Sequence, residues 1–369
     1  MHKVGKFTIT SGGAPAKVYL QAAHDYGAKV DPVQVNRARK GQLNWFVPKD
    51  SEGVTYQVNV PKTYVAGEPY GVLVVINAGE SGRLPQKYEQ LLDKHRLIAI
   101  GADKSGNKAE LLFRHSYAVH AVELLNERYD LDRDRIYVTG GSGGGRITSQ
   151  VMIINSDTFT GGIPMIGANA CISMQVADSA GRMGTDPGAW RNKDKKRLAK
   201  AGREGRYVFM TGSKDYNKAN VKSVYAGYQK AKFRYVHYIE EGGLGHSAPS
   251  VENFEKALQF LDTPLTKAAT KYYGDALKKH ASGKLDDALL LFRQAAVHGH
   301  NTQWYADAVA KTEEIQVAYE KAYAEVEAAI ESEDNAAFRK ALQDLRRNWS
   351  GIADRDVLKE LNDRFKQAQ

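Results

Sequence analysis

The stretch Arg135–Arg146 reads Arg-Ile-Tyr-Val-Thr-Gly-Gly-Ser-Gly-Gly-Gly-Arg, and it decides how the surrounding chain is interpreted. Its first five residues are typical of a buried strand, and residues 146–154 are typical of a helix. The glycines around Ser142 fit a sharp strand-to-helix turn, because larger side chains there would collide with neighbouring backbone. We therefore expect Ser142 to stand at the tip of a G-x-S-x-G turn as an exposed nucleophile.

Two other roles fit a glycine-rich turn between a strand and a helix. It could cradle a phosphate, but the Gly-Lys-Ser/Thr ending of a P-loop is missing, and so is G-x-G-x-x-G with a downstream acid. It could also be a plain tight turn with no chemistry. The motif alone does not decide between a nucleophile and these alternatives.

Two later predicted strands end at an aspartate and a histidine. The strand at 207–210 runs into Asp215, and the strand at 235–239 runs into His246. Open parallel sheets place their sites at the carboxyl ends of the strands, and the chain order Ser, Asp, His is the one expected of a triad behind such a turn. The sequence therefore predicts a catalytic triad of Ser142, His246 and Asp215.

A serine nucleophile also needs two donors for the oxyanion that forms during attack. The first is predicted to be the backbone N–H of Gly143, the residue after the nucleophile. The second is expected from the loop at 77–82, which follows the predicted strand at 72–76, and we favour Gly79 over Ala78.

The chain resembles the α/β-hydrolase superfamily, and more narrowly bacterial esterases of the polyhydroxybutyrate-depolymerase and prolyl-oligopeptidase-like type. The resemblance covers about residues 54–262. The segments that carry it are 56–61, 70–76, 101–107, 132–140, 142–146 and Gly245-His246. It implies a serine-hydrolase fold and triad, with Ser142, Asp215 and His246 on the matching motif positions. It also implies a periplasmic or secreted location, whereas the residues themselves leave a cytoplasmic location open.

Alternating strands and helices predict an α/β class, with a mostly parallel sheet covered by helices. Apolar runs such as 71–76 and 97–100 suit strands covered on both faces. We divide the chain into a β-rich N-terminal extension at 1–53, a catalytic domain at 54–263 and an all-α domain at 264–369. Proline marks the last boundary, since all ten prolines lie at or before Pro264.

The helical domain resembles a tetratricopeptide array in part. The positions that match are Tyr272, Ala276, Gly283, Ala288, Phe292 and Ala295. Thirty-four residues further on, Ala322, Val326 and Ala329 match again, but Val317 stands in the glycine position. We expect these helices either to pack on the larger domain or to bind a partner protein.

Composition excludes several classes of protein. The 369 residues are 42% hydrophobic and 26% charged, which fits a packed globular chain. The single cysteine rules out an internal disulfide, no apolar run is long enough to span a membrane, and residues 1–5 lack the apolar segment of a signal peptide. The net charge is +9, and a basic run at 191–206 fits a solvated helix face. We expect no nucleic-acid partner, no cofactor and no metal.

The leading hypothesis is a carboxylesterase that forms an acyl-enzyme on a small or oligomeric ester. One alternative is a prolyl-oligopeptidase-like serine peptidase, which needs anchoring groups for a peptide. The other is a non-catalytic binding protein on a hydrolase scaffold. The physiological ester is not defined by these residues.

Overall fold

The computed structural model of the protein describes residues 6–10, 55–109, 111–188 and 195–368. The chain divides into two compact units, Met1–Leu261 and Asp262–Gln369, and this division falls close to the predicted start of the helical domain. Most of the predicted N-terminal extension, residues 11–53, lies outside the described residues.

The larger unit alternates strands and helices. In chain order they are β1 (Lys6–Thr10), β2 (Thr55–Asn59), β3 (Tyr70–Val75), α1 (Glu89–His95), β4 (Leu97–Ala102), α2 (Leu111–Asn126), β5 (Leu131–Gly141), α3 (Gly143–Ile154), β6 (Gly161–Met165), β7 (Met174–Ala177), β8 (Met183–Asp186), α4 (Lys195–Glu204), β9 (Arg206–Gly212), α5 (Lys218–Lys230) and β10 (Tyr235–Glu241). A short 3₁₀ helix, Gln86–Tyr88, precedes α1.

All strands except β7 and β8 form one sheet, in the order β1-β2-β4-β3-β5-β6-β9-β10. β2 runs antiparallel to both β1 and β4. From β4 to β10, every neighbouring pair is parallel. The predicted α/β class with a mostly parallel sheet is confirmed, and the carboxyl ends of six strands meet at one edge.

The sheet is covered on both faces, as the continuous apolar runs require. Successive side chains of a strand point to opposite faces, so Val72 and Val74 of β3 pack into one apolar cluster while Leu73 and Val75 pack into another. The first cluster includes residues of α2, α3 and α5, and the second includes residues of α1. This double burial fixes the strand ends on which the candidate site is built.

The small hairpin of β7 and β8 was not predicted from the sequence. These four-residue strands pair antiparallel, apart from the main sheet. Their turn is held by Asp178, whose carboxylate accepts hydrogen bonds from the backbone N–H groups of Ala180 and Arg182. β8 is mostly polar, and neither four-residue strand shows the full alternation of apolar and polar residues from which a strand is predicted.

The smaller unit is helical, as predicted. It contains most of α6 (Val251–Ala281), then α7 (Leu285–His298), α8 (Tyr305–Glu331), α9 (Asn335–Asn348) and α10 (Arg355–Ala368). Its own apolar core joins side chains from all five helices, among them Ala276, Phe292, Ile315, Leu345 and Phe365. Among the described residues, no helix has both the length and the apolar character needed to cross a bilayer.

The thirty-four-residue register expected for this unit is wrong. Val317, which that register places at a turn, lies inside α8 and is exposed. The turn equivalent to Gly283 is instead at Glu333, fifty residues on. Both residues have a left-handed backbone (φ of 72° and 54°), and each lies two residues before the start of a fourteen-residue helix. Recruitment of a partner protein by these helices stays a prediction.

Candidate active site

Ser142 lies at the tip of the turn that joins β5 to α3. Its backbone is strained for a residue with a side chain, at φ 55° and ψ −117°. Its N–H donates to the carbonyl of Met165 at 2.9 Å, and its own carbonyl accepts from the N–H of Arg146 at 3.0 Å. The turn is therefore fixed on both sides, by β6 and by the first turn of α3.

The glycines beside Ser142 are required by close backbone packing. A methyl group on Gly144 would overlap the carbonyl group of Ile76, coming within 2.8 Å of its carbon. A methyl group on Gly145 would lie 2.5 Å from the carbonyl oxygens of Met165 and Gly167. Both distances are shorter than van der Waals contact allows, so only glycine lets α3 begin this close to β3 and β6.

The structure brings the three predicted triad residues together. His246 follows β10, and its Nε2 lies 2.9 Å from Ser142 Oγ. Its Nδ1 lies 2.8 Å from Oδ1 of Asp215, which follows β9. An ionised carboxylate only accepts hydrogen bonds, so Nδ1 donates to it and Nε2 is left to accept from the serine hydroxyl.

Asp215 is held in place by further donors. Its side chain is fully buried, and its Oδ2 accepts a hydrogen bond from Thr211 Oγ1 at 2.7 Å. Its Oδ1 also accepts from the backbone N–H of Asn217 at 3.0 Å. A serine bonded to an imidazole that a buried carboxylate orients can deprotonate and attack a carbonyl carbon.

The two predicted oxyanion donors lie in different surroundings. Gly143 is the first residue of α3, where backbone N–H groups have no intrahelical partner. Gly79 lies exposed in the loop after β3, and a methyl group added to it would meet no atom within 4 Å. The second-donor role of Gly79 therefore stays a prediction.

No role was predicted from the sequence for three residues that lie beside the triad. Tyr216 stacks on His246, with ring centroids 4.1 Å apart and an interplanar angle of 25°. Asn107, from the loop after β4, contacts Gly143, and the buried Arg114 of α2 donates to Asn107. Two signals could have drawn attention to them: Tyr216 directly follows the predicted acid, and Asn107 ends the segment 101–107 that carries the family resemblance.

No protein-family model matches the chain, and no curated protein matches it. Solved structures similar to it include an S-formylglutathione hydrolase from Staphylococcus aureus, at 15% identity and a TM-score of 0.44, covering 58% of this chain and 94% of that one. A ferulic acid esterase aligns at 16% identity and a TM-score of 0.44, covering 57% of this chain and 92% of that one.

A peptidase is also among the similar structures. The chain aligns with dipeptidyl peptidase 4 from Porphyromonas gingivalis at 16% identity and a TM-score of 0.41, covering 58% of this chain and 34% of that one. At such identities and TM-scores, these likenesses do not distinguish one reaction from another.

The fold can be assigned from the chain's own topology. The serine stands on a strained strand-to-helix turn at the end of a central parallel strand. The aspartate and the histidine follow two later strands at the same edge, in the chain order that this turn accompanies. The larger unit of the protein therefore has an α/β-hydrolase fold.

Proposed function

We propose that the protein is a serine hydrolase that cleaves carboxylic esters through an acyl-enzyme. The observation that carries the proposal is the unbroken hydrogen-bonded chain Ser142–His246–Asp215, with distances of 2.9 Å and 2.8 Å. It is supported by the strained backbone of Ser142, which costs energy and persists at functional turns.

In this mechanism each residue has one role. His246 takes the Ser142 proton as the oxygen attacks the ester carbonyl, and returns it to the leaving alcohol. Asp215 keeps the imidazole in the required tautomer and stabilises the imidazolium that forms. Water, deprotonated by the same histidine, then hydrolyses the acyl-enzyme and releases the acid.

We favour esters over peptides because an alcohol is a better leaving group than an amine. Ester cleavage requires only the triad and the oxyanion donors, whereas a peptidase also needs groups that anchor the peptide chain. A periplasmic or secreted location, which rests on family resemblance, is part of the proposal. The candidate substrates are acylated carbohydrates, hydroxycinnamate esters and polyester fragments, and no residue described above chooses among them.

The test is a panel of p-nitrophenyl esters of increasing acyl length, beside p-nitroanilides with the same acyl groups. We expect turnover of esters, with kcat/KM falling by at least about 10³-fold in Ser142→Ala. The matched control is Ser282→Ala, an exposed serine of the smaller unit that should leave turnover unchanged. Comparable cleavage of the anilides would favour the peptidase, and cleavage of neither class would favour a binding protein.

A further inference from the structure

The loops after β3 and β4 are joined beside the nucleophile. Gly82 N–H donates to Asp103 Oδ1 at 2.8 Å. The backbone N–H of Lys104 donates to the Glu80 carbonyl at 2.6 Å, and that of Asn107 to the Ala78 carbonyl at 2.9 Å. These three hydrogen bonds join the two loops to each other, so a side chain on either loop has a defined position.

The side chain of Arg114, in α2, contacts both of these loops. It is 5% exposed, and its Nη2 donates to the Asn77 carbonyl at 2.9 Å while its Nη1 lies 3.4 Å from Asn107 Oδ1. Burial lowers the pKa of Arg114 to about 10, so the guanidinium is still cationic at neutral pH. Its Nη atoms donate to neutral oxygens, and the nearby charge of Glu80 only partly offsets the free energy that burial of the cation costs. Such a cost is common at functional sites.

The side-chain amide of Asn107 lies against the first residue of α3. A methyl group on Gly143 would overlap Oδ1 of this amide, and it would lie 2.6 Å from Cγ and 2.8 Å from Nδ2. Because Cα–Cβ bonds tilt toward the N-terminus of a helix, the amide lies at the end of α3 where the free Gly143 N–H is found. Asn107 is also exposed, so a substrate can reach it.

The contact with Arg114 orients this amide. A guanidinium only donates, so Oδ1 of Asn107 accepts from it and Nδ2 is left as the free donor. Within the described part of the chain, Nδ2 has no hydrogen-bond acceptor. A preorganised N–H with no partner, beside the residue that follows the nucleophile, has the chemistry of an oxyanion donor.

We propose that Asn107 is a catalytic residue whose Nδ2 donates to the oxyanion beside the N–H of Gly143, and that Arg114 is the positioning residue that orients it. This inference rests on the proposed serine-hydrolase function. When Ser142 Oγ bonds to the carbonyl carbon, the C=O electron pair moves onto oxygen, where both donors stabilise it. The pair returns as the C–O bond to the alcohol breaks and His246 protonates the leaving oxygen.

Two substitutions at Asn107 separate donation from packing. Asn107→Asp keeps the shape and the bond to Arg114 but removes the donor, and Asn107→Ala removes both. We expect each to lower kcat about 10²- to 10³-fold with KM changed only a few-fold. Affinity for a trifluoromethyl ketone, which forms a tetrahedral adduct, should fall in parallel. Lys108→Ala, an exposed neighbour, is the matched control and should match wild type.

Retained kcat in Asn107→Asp would show that the amide only packs, and would overturn the proposal. A lowered kcat in Asn107→Asp together with a normal kcat in Asn107→Ala would also overturn the proposal, because the loss would then be due to charge repulsion. Inactivity of the wild type toward every ester would instead remove the proposed function itself.

The role of Arg114 is tested by a double-mutant cycle on variants with wild-type melting behaviour. Arg114→Lys should lower kcat in the wild-type background but have little further effect in Asn107→Ala, because it acts through Asn107. Additive losses would indicate a purely structural role for Arg114 and would contradict the assignment.

Discussion

The imidazole of His246 is held at both nitrogens and on one face. The nitrogens bond to Ser142 and Asp215, and the ring of Tyr216 stacks on the face at 4.1 Å. Tyr216 is 59% exposed, so it is not retained there by burial. The stacked ring limits rotation of the imidazole, and its π face stabilises the imidazolium that forms during attack.

Loss of the Tyr216 ring should therefore impair turnover moderately. We predict that Tyr216→Ala lowers kcat about two- to tenfold, in line with about 0.5–1.5 kcal/mol for an aromatic pair. Tyr216→Phe keeps the ring and should stay close to wild type. The measurement is steady-state ester hydrolysis, with Tyr272→Ala, an exposed tyrosine of the smaller unit, as the control. Equal rates in Tyr216→Ala and wild type would contradict a role for the stack.

At the scale of elements, the turn between β5 and α3 depends on how closely α3 approaches β3. The contact is between Gly144 and the main chain of Ile76, the residue that directly follows β3. The N–H of Ile76 donates to the carbonyl of Thr139 in β5 at 2.8 Å, so this part of the main chain cannot move without disturbing the sheet. Gly141 differs, because a methyl group there would meet only the Ile166 side chain, at 3.8 Å. Two neighbouring glycines thus have opposite tolerance for a side chain.

We predict that Gly144→Ala destabilises the protein by about 1–3 kcal/mol, as expected of overpacking, and displaces Ser142 enough to lower turnover. Alanine is otherwise the better helix former, so a loss of stability identifies the overlap as its cause. Gly141→Ala is the matched control and should keep wild-type stability. Urea unfolding followed by circular dichroism measures both. Equal unfolding midpoints for the two variants would show that the close approach is not needed.

For the whole molecule, local patterns were enough to predict the sheet and the three residues of the proposed triad. Continuous apolar runs identify strands buried on both faces, and the ends of parallel strands meet at one edge. For this reason Ser142, Asp215 and His246, far apart in sequence, could be expected to lie together. The structure does bring them together, and their catalytic roles are the proposal made above.

Other features could not be predicted from local sequence. Asn107 and Arg114 come from a loop and a helix with no fixed spacing from the nucleophile, and their contacts appear only once β3, β4 and β5 are side by side. In the smaller unit, a left-handed turn is formed by Gly283 but also by Glu333. A search for repeated glycines therefore finds the first turn and misses the second.

The proposed function requires the folded protein to contain one activated serine. The most direct test is the intact mass of the protein after treatment with a fluorophosphonate probe, compared with Ser142→Ala. We expect a single adduct on the native protein and none on the variant. An adduct that persists in Ser142→Ala, or no adduct on well-folded native protein, would contradict it.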